Sequence, residues 1–291
     1  MEPAAEKRGP RLGLALGGGG VRGLAHLGVL AVLEEAGLPV HAIAGSSMGA
    51  IVGAAYALNP PGSLASLRQQ VSELGAMLAS RLRFVEEALP AFLQPVRQFI
   101  QAERFLLDNL SGWGVFPESL VVEPLQKLTL HKALEEGRLS LAVVAVDLIS
   151  GERVIFRHGP AVPALQASAA VPGFFPPVAQ GERLLADGAI VDVVPVDVVR
   201  DMGVEVVVAV DVDQETLRGT VRNGLDAFLR AFEICSRHHK RLRLALADLV
   251  LRPQFEKPLH MFDFAHTEAC IRAGEEAARR ALPTLRALLG T

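Results

Sequence analysis

The chain has 291 residues, half of them hydrophobic, and a formal net charge of −3. That size and composition support one large α/β domain or two small ones and exclude a disordered chain, and the weak negative charge gives no basis for nucleic-acid binding. Two cysteines, Cys235 and Cys270, are too few for a disulfide framework and lack metal spacing, so both read as buried thiols of a reducing compartment.

Residues 1–11 are charged and proline-bearing and read as a flexible N-terminus without the apolar stretch of a signal peptide. No later stretch reaches the ~18 uninterrupted apolar residues of a membrane span, so a cytoplasmic protein is expected. Leu12–Leu16 is a short apolar strand that runs into Gly17-Gly18-Gly19-Gly20-Val21-Arg22-Gly23, and a helix is predicted over 21–36, ended by Gly37 and Pro39. Residues 40–44 read as a second strand, and Met48–Leu58 as a helix whose Gly49, Gly53 and Ala57 leave one face nearly bare. Strand, helix, strand, helix in so short a span implies a parallel sheet.

Asn59-Pro60-Pro61-Gly62 breaks the chain. Residues 63–110 are helical in pattern, punctuated by Pro90 and Pro95, with Val96, Phe99, Ile100, Leu106, Leu107 and Leu110 forming an apolar stripe. They read as core-facing helices beside the sheet, and also fit a cap over an apolar site. A helix from Pro117 to Leu130 follows, then a strand over 139–148, a turn at Ser150-Gly151-Glu152 into a strand at Arg153–Phe156, and a helix over 162–170. Residues 171–177 form a rigid apolar loop, and residues 183–186 lead into the turn Asp187-Gly188. Residues 204–212 are the most strand-like run and are expected to be central, while helices over 223–247 and 267–289 close a single domain spanning 12–291.

Gly45-Ser46-Ser47-Met48-Gly49 stands between a strand and a helix, the context of a G-x-S-x-G nucleophile elbow with Ser47 at its centre. Alone, the pentapeptide reads first as a serine N-cap on a glycine-flanked helix. Gly18, Gly20 and Gly23 also satisfy the dinucleotide fingerprint, but no carboxylate ends the second strand to hold a ribose. The other use of the loop is an oxyanion hole, in which the bare N–H groups of Gly18, Gly19 and Gly20 converge on one point before a helix N-terminus. Adjacent parallel strands put both glycine motifs on one sheet edge, so each explains the other.

These residues resemble the patatin-like phospholipase family in its compact bacterial form. The glycine run with its following Arg22-Gly23 is similar to the family's oxyanion loop, residues 45–49 to its nucleophile elbow, Ala167-Ser168-Ala169-Ala170-Val171-Pro172 to its Ala-Ser…Pro block, and Asp187-Gly188-Ala189 to its aspartate motif. The likeness runs in the family's order from Leu12 to about Pro195. It departs at Asp192-Val193-Val194-Pro195, where the family often carries Asn. The resemblance implies a three-layer α/β/α fold with a mostly parallel central sheet, residues 63–110 as a cap-like insertion, and a Ser47–Asp187 dyad that hydrolyses acyl esters of the phospholipase A or lysophospholipase type without histidine, metal or cofactor. It further implies an acyl-ester lipid substrate and a peripheral contact with a membrane surface. Arg22 either adds positive charge near the hole or a substrate phosphate, or pairs with a carboxylate to hold the loop.

Two other readings stay open. An α/β-hydrolase triad would draw on His238, His239, His260 or His266, although the serine arrives on the second strand, too early for that topology. A non-catalytic lipid- or protein-binding regulator would need neither Ser47 nor Asp187 intact. His26 reads as a satisfied interior histidine, His238 and His239 as surface residues, and Asp211 and Asp213 as solvated strand-end acids. Ser46 competes with Ser47 as nucleophile, and Asp147 with Asp187 as base.

Overall fold

The computed structural model describes residues 9–87, 112–114, 116–213, 221, 224–259 and 261–291. In chain order the elements are β1 (Leu12–Leu16), α1 (Ala25–Glu35), β2 (Val40–Ser46), α2 (Met48–Leu58), α3 (Leu64–Glu87), α4 (Ser119–Thr129), β3 (Ser140–Asp147), β4 (Arg153–Phe156), α5 (Ala161–Ser168), β5 (Val178–Gln180), β6 (Arg183–Asp187), α6 (Val196–Arg200), β7 (Val206–Val210), α7 (Gly224–Leu244), β8 (Leu249–Leu251) and α8 (Thr267–Leu289). Short 3-10 turns at Gly20–Leu24 and Gly188–Ile190 flank the site.

One eight-stranded sheet runs in the order β5-β6-β3-β2-β1-β7-β8, with β4 beside β3. The pairs among β3, β2, β1, β7 and β8 are parallel, whereas β4, β6 and β5 join as antiparallel hairpin strands. Side chains divide by the two-residue period of a strand. Leu14, Leu16, Ile43, Val208 and Val210 fill one core with α1, α2 and α8, while Ala15, Ala42, Ala44, Ala142 and Ala209 face a second core with α6 and Leu244. Small residues on that second face let the short α6 lie close, and helices on both sides explain why β1 and β7 are apolar throughout.

Several expectations shift. The predicted helix over 21–36 begins as a 3-10 turn and becomes α-helical at Ala25. Val206–Val210 is buried on both faces, although Glu205 of the expected run is exposed, and β7 is next to the edge, because the short β8, hidden in the sequence behind α7, covers it. Cys270 is buried as expected, but Cys235 is exposed on α7. Asp211 is a buried salt-bridge partner of Lys240, 3.1 Å from its Nζ, rather than a solvated acid. Of the cap-like insertion 63–110, the described part is α3; its remainder, with Pro90, Pro95 and the stripe from Val96 to Leu110, lies outside the described residues, as do residues 1–8 and His260.

Candidate active site

Register brings the site together. Leu16 pairs with Gly45 on one side and Val210 on the other, so the chain leaves β1 as the glycine loop beside the point where β2 leaves as the serine turn. Across β3, Val144 is level with Ser46 and Ala145 with Asp187. Three segments far apart in sequence therefore end at one sheet edge.

Ser47 stands between β2 and α2 at φ 53°, ψ −124°, a left-handed position that a non-glycine residue holds only under strain. Tight packing enforces the turn. A Cβ on Gly49 would collide with the Leu16 and Gly17 carbonyls, and one on Gly45 with the Gly49–Ala50 backbone. The Ser47 hydroxyl donates to Asp187 Oδ2 at 2.7 Å, and its N–H donates to Ser168 Oγ at 3.0 Å. Ser46 points the other way and donates to the Asp192 carbonyl at 2.6 Å.

Asp187 ends β6 in the buried interior, its Oδ1 accepting from Ala189 N–H at 2.8 Å. Burial raises its pKa from the ordinary 3.8 to about 6, against the two hydrogen bonds it accepts, which favour the charged form. Asp147, the rival acid, is occupied by its own turn, accepting from Ile149 N–H, Ser150 Oγ and Leu184 N–H.

The glycine loop divides its donors. Gly17 and Gly18 N–H groups donate to Val210 and Val193 carbonyls at 3.1 and 3.0 Å, so Gly18, expected among the oxyanion donors, has its N–H already engaged. Gly18 instead packs on the site: a Cβ there would lie 2.9 Å from Ala189 Cβ and 3.3 Å from Ser47 Cβ. The Gly19 and Gly20 N–H groups have no backbone acceptor among the described residues. Arg22 Nε donates to the Gly19 carbonyl at 3.3 Å and its Nη1 lies 3.5 Å from Asp213, contacts that tie it to the loop. Because the C=O and N–H of one trans peptide point oppositely, fixing the Gly19 carbonyl fixes the direction of the Gly20 N–H.

Among the described residues no histidine hydrogen-bonds Ser47 or Asp187. His26 is fully buried and donates Nε2–H to the Gly17 carbonyl at 2.8 Å, while its Nδ1 has no partner among the described residues. Burial lowers its pKa to about 4, so it stays neutral. His238 is exposed, as expected. Asp192, where the family often has Asn, is buried against Arg153 and 3.7 Å from Arg243; both arginines also bond Asp197. Burial outweighs the two arginines and raises the Asp192 pKa. Lys240 and the Val193 and Met261 carbonyls, the last accepting from Val21 N–H at 2.8 Å, carried no sequence signal as supports of the site, whereas Ser168 stood in the Ala-Ser block.

An apolar pocket opens on Ser47 and Gly20, lined by Ile51, Leu74, Leu125, Phe175 and Phe262 among others. Phe116 packs against Phe175 and Phe262, with ring centroids 5.4 and 6.0 Å apart. A strained serine, a buried carboxylate in hydrogen-bond contact with it and an apolar cavity thus lie together at this sheet edge.

The patatin-like phospholipase family model matches residues 14–200. The chain belongs to the patatin-like phospholipase family. It is similar to the uncharacterized NTE family protein Rv1063c of Mycobacterium tuberculosis, 30% identical over 70% of this chain and 49% of that protein. It is also similar to the patatin-like phospholipase domain-containing protein 6 of Mus musculus, 31% identical over 71% of this chain and 14% of that one. The structure of VipD from Legionella pneumophila aligns with a TM-score of 0.49 and 14% identity over 96% of this chain and 68% of that chain. The chain spans about half the length, or less, of the curated relatives it matches.

Proposed function

We propose that this chain is a serine hydrolase of lipid acyl esters working through a Ser47–Asp187 dyad. The observation that carries the reading is the 2.7 Å hydrogen bond from Ser47 Oγ to Asp187 Oδ2, made by a serine held at positive φ. Ionised Asp187 takes the hydroxyl proton as Oγ attacks the ester carbonyl, and the oxyanion that forms is held by the Gly19 and Gly20 N–H groups. Collapse of the tetrahedral intermediate expels the alcohol, which takes the proton back from Asp187, and leaves the acyl group on Ser47. Asp187 then takes a proton from a water whose oxygen attacks the acyl carbonyl, and collapse of this second tetrahedral intermediate releases the fatty acid as Asp187 returns the proton to Ser47 Oγ. The apolar pocket receives the acyl chain. A pKa near 6 supports the base role, since the carboxylate is both ionised at neutral pH and more basic than a solvated one.

A fluorophosphonate probe tests this directly. Wild type is expected to be labelled and Ser47→Ala to be unlabelled, with Asp187→Asn at least about a thousandfold slower in ester turnover. Equal labelling of Ser47→Ala, or a single His→Ala variant as inactive as Ser47→Ala, would refute the dyad.

A further inference from the structure

Lysine is rarely buried, because taking its ammonium out of water is costly unless carboxylates replace the lost hydration. Lys240 is nonetheless only 2% exposed. On α7 it lies one turn before Leu244, which enters the second core, so the two share the face that the helix turns to the sheet. Its Nζ donates to Asp211 Oδ1 at 3.1 Å and to Asp213 Oδ2 at 3.0 Å. Asp211 Oδ1 also accepts from Asp213 N–H at 3.2 Å, so the ammonium and this turn together fix the segment that leaves β7.

The glycine loop lies against that segment at three points. The Val210 carbonyl accepts from Gly17 N–H at 3.1 Å. The Val212 side chain sits under Gly19, where a Cβ would fall 2.6 Å from its Cγ2. Asp213 Oδ1 lies 3.5 Å from Arg22 Nη1, and Arg22 Nε donates to the Gly19 carbonyl at 3.3 Å. The two oxygens of Asp213 thus face different cations, Lys240 and Arg22. The Gly19 carbonyl belongs to the peptide that carries the Gly20 N–H, one of the two loop amides with no backbone acceptor among the described residues. Asp211, Asp213 and Lys240 all lie beyond residue 200, where the match to the family model ends.

We propose that Lys240 is a positioning residue of the oxyanion loop: it aims Asp213 at Arg22, and Arg22 orients the Gly19–Gly20 peptide toward the carbonyl oxygen of an ester at Ser47. The inference rests on the reading of Ser47 as the nucleophile. The Asp213 side chain is 28% exposed, so without Lys240 water competes for its carboxylate and draws it from the guanidinium. Loop donors act on the charge that develops on the oxyanion, whereas the apolar pocket binds the acyl chain before any charge forms. A misdirected amide therefore lowers kcat and leaves KM in place. A lysine that only neutralised strand-end acids would change stability without that split.

The test is a double-mutant cycle on a short soluble ester, with rates expressed per Ser47 titrated to completion by a fluorophosphonate, so that misfolded protein is not counted. Lys240→Met should lower kcat about five- to tenfold and keep KM within about twofold of wild type. Added to Arg22→Met, it should cost less than about a further twofold, because both act through one peptide. Lys240→Met leaves Asp211 buried with Arg252, 3.7 Å away, as its remaining counter-charge among the described residues, so a second variant guards against misfolding. Asp213→Ala changes a partly exposed residue, leaves Lys240 with Asp211, and should show the same loss in kcat. Costs that multiply across the cycle, a change confined to KM, or wild-type kcat in Asp213→Ala overturn the proposal. Amide hydrogen exchange over residues 17–23 reads the anchor without turnover, and it should quicken in both variants while exchange in β2 stays as in wild type. Should wild type be neither labelled nor active, the nucleophile reading fails; faster loop exchange in the variants would then leave Lys240 as the anchor of the loop, and unchanged exchange would remove that too.

Discussion

Replacing Asp187 by Asn should stabilise the protein while disabling it. The folded carboxyl keeps its proton up to about pH 6, whereas in the unfolded chain it loses it near 3.8. Between those values the native state binds more protons than the unfolded state, so the contribution of Asp187 to stability falls as pH rises through that window. Below it both states are protonated and the neutral acid resembles Asn. Above it, at about 1.4 kcal/mol for each pH unit separating the two values, the ionised carboxylate costs the native state about 3 kcal/mol. The difference in unfolding free energy, Asp187→Asn minus wild type, should therefore be near zero at pH 4 and climb to about 3 kcal/mol by pH 8. Urea denaturation of both proteins at half-unit pH steps measures it, and taking the difference removes the titration of every other group. Ester turnover of wild type should rise over the same interval, with an apparent pKa near 6, as the base ionises. Parallel stability curves, or a wild type more stable than the variant at pH 8, would show that Asp187 is not held in a carboxylate-disfavouring site.

Arg22→Met removes the donor to the Gly19 carbonyl and should lower kcat about tenfold with KM little changed, because the loop serves the transition state; steady-state kinetics that show only a KM effect would place Arg22 on the substrate instead. Gly49→Ala puts a methyl against the Leu16 carbonyl across the elbow and should cost at least about 3 kcal/mol, read as a fall in the denaturation midpoint. Asp192→Asn should leave stability at neutral pH within about 1 kcal/mol, since burial already outweighs attraction to Arg153 and Arg243, which keep Asp197; a loss above about 3 kcal/mol would mean the ion pair is a net support.

Local chemistry sufficed for the opening βαβα unit, the serine turn and the aspartate turn. Glycine spacing, alternation and the breaker at 59–62 are short-range signals, and each acts within a few residues of the element it sets. The family resemblance then joined Ser47 to Asp187 across 140 positions, which no periodicity does. Only the tertiary structure decided which loop amides remain available, because the acceptors that engage Gly17 and Gly18 sit on segments far away in the chain, at Val210 and Val193. Pairing at a distance likewise reversed the reading of Asp211: a strand-end acid looks solvated until a lysine from another helix lies 3.1 Å away. Exposure of Cys235 follows from how α7 is anchored, by Lys240, Arg243 and Leu244 near its end, and an amphipathic pattern cannot tell which of two faces finds a neighbour. Sequence determined the chemistry each segment carries; the sheet register, which sets strands side by side irrespective of their separation in the chain, decided which of those segments meet.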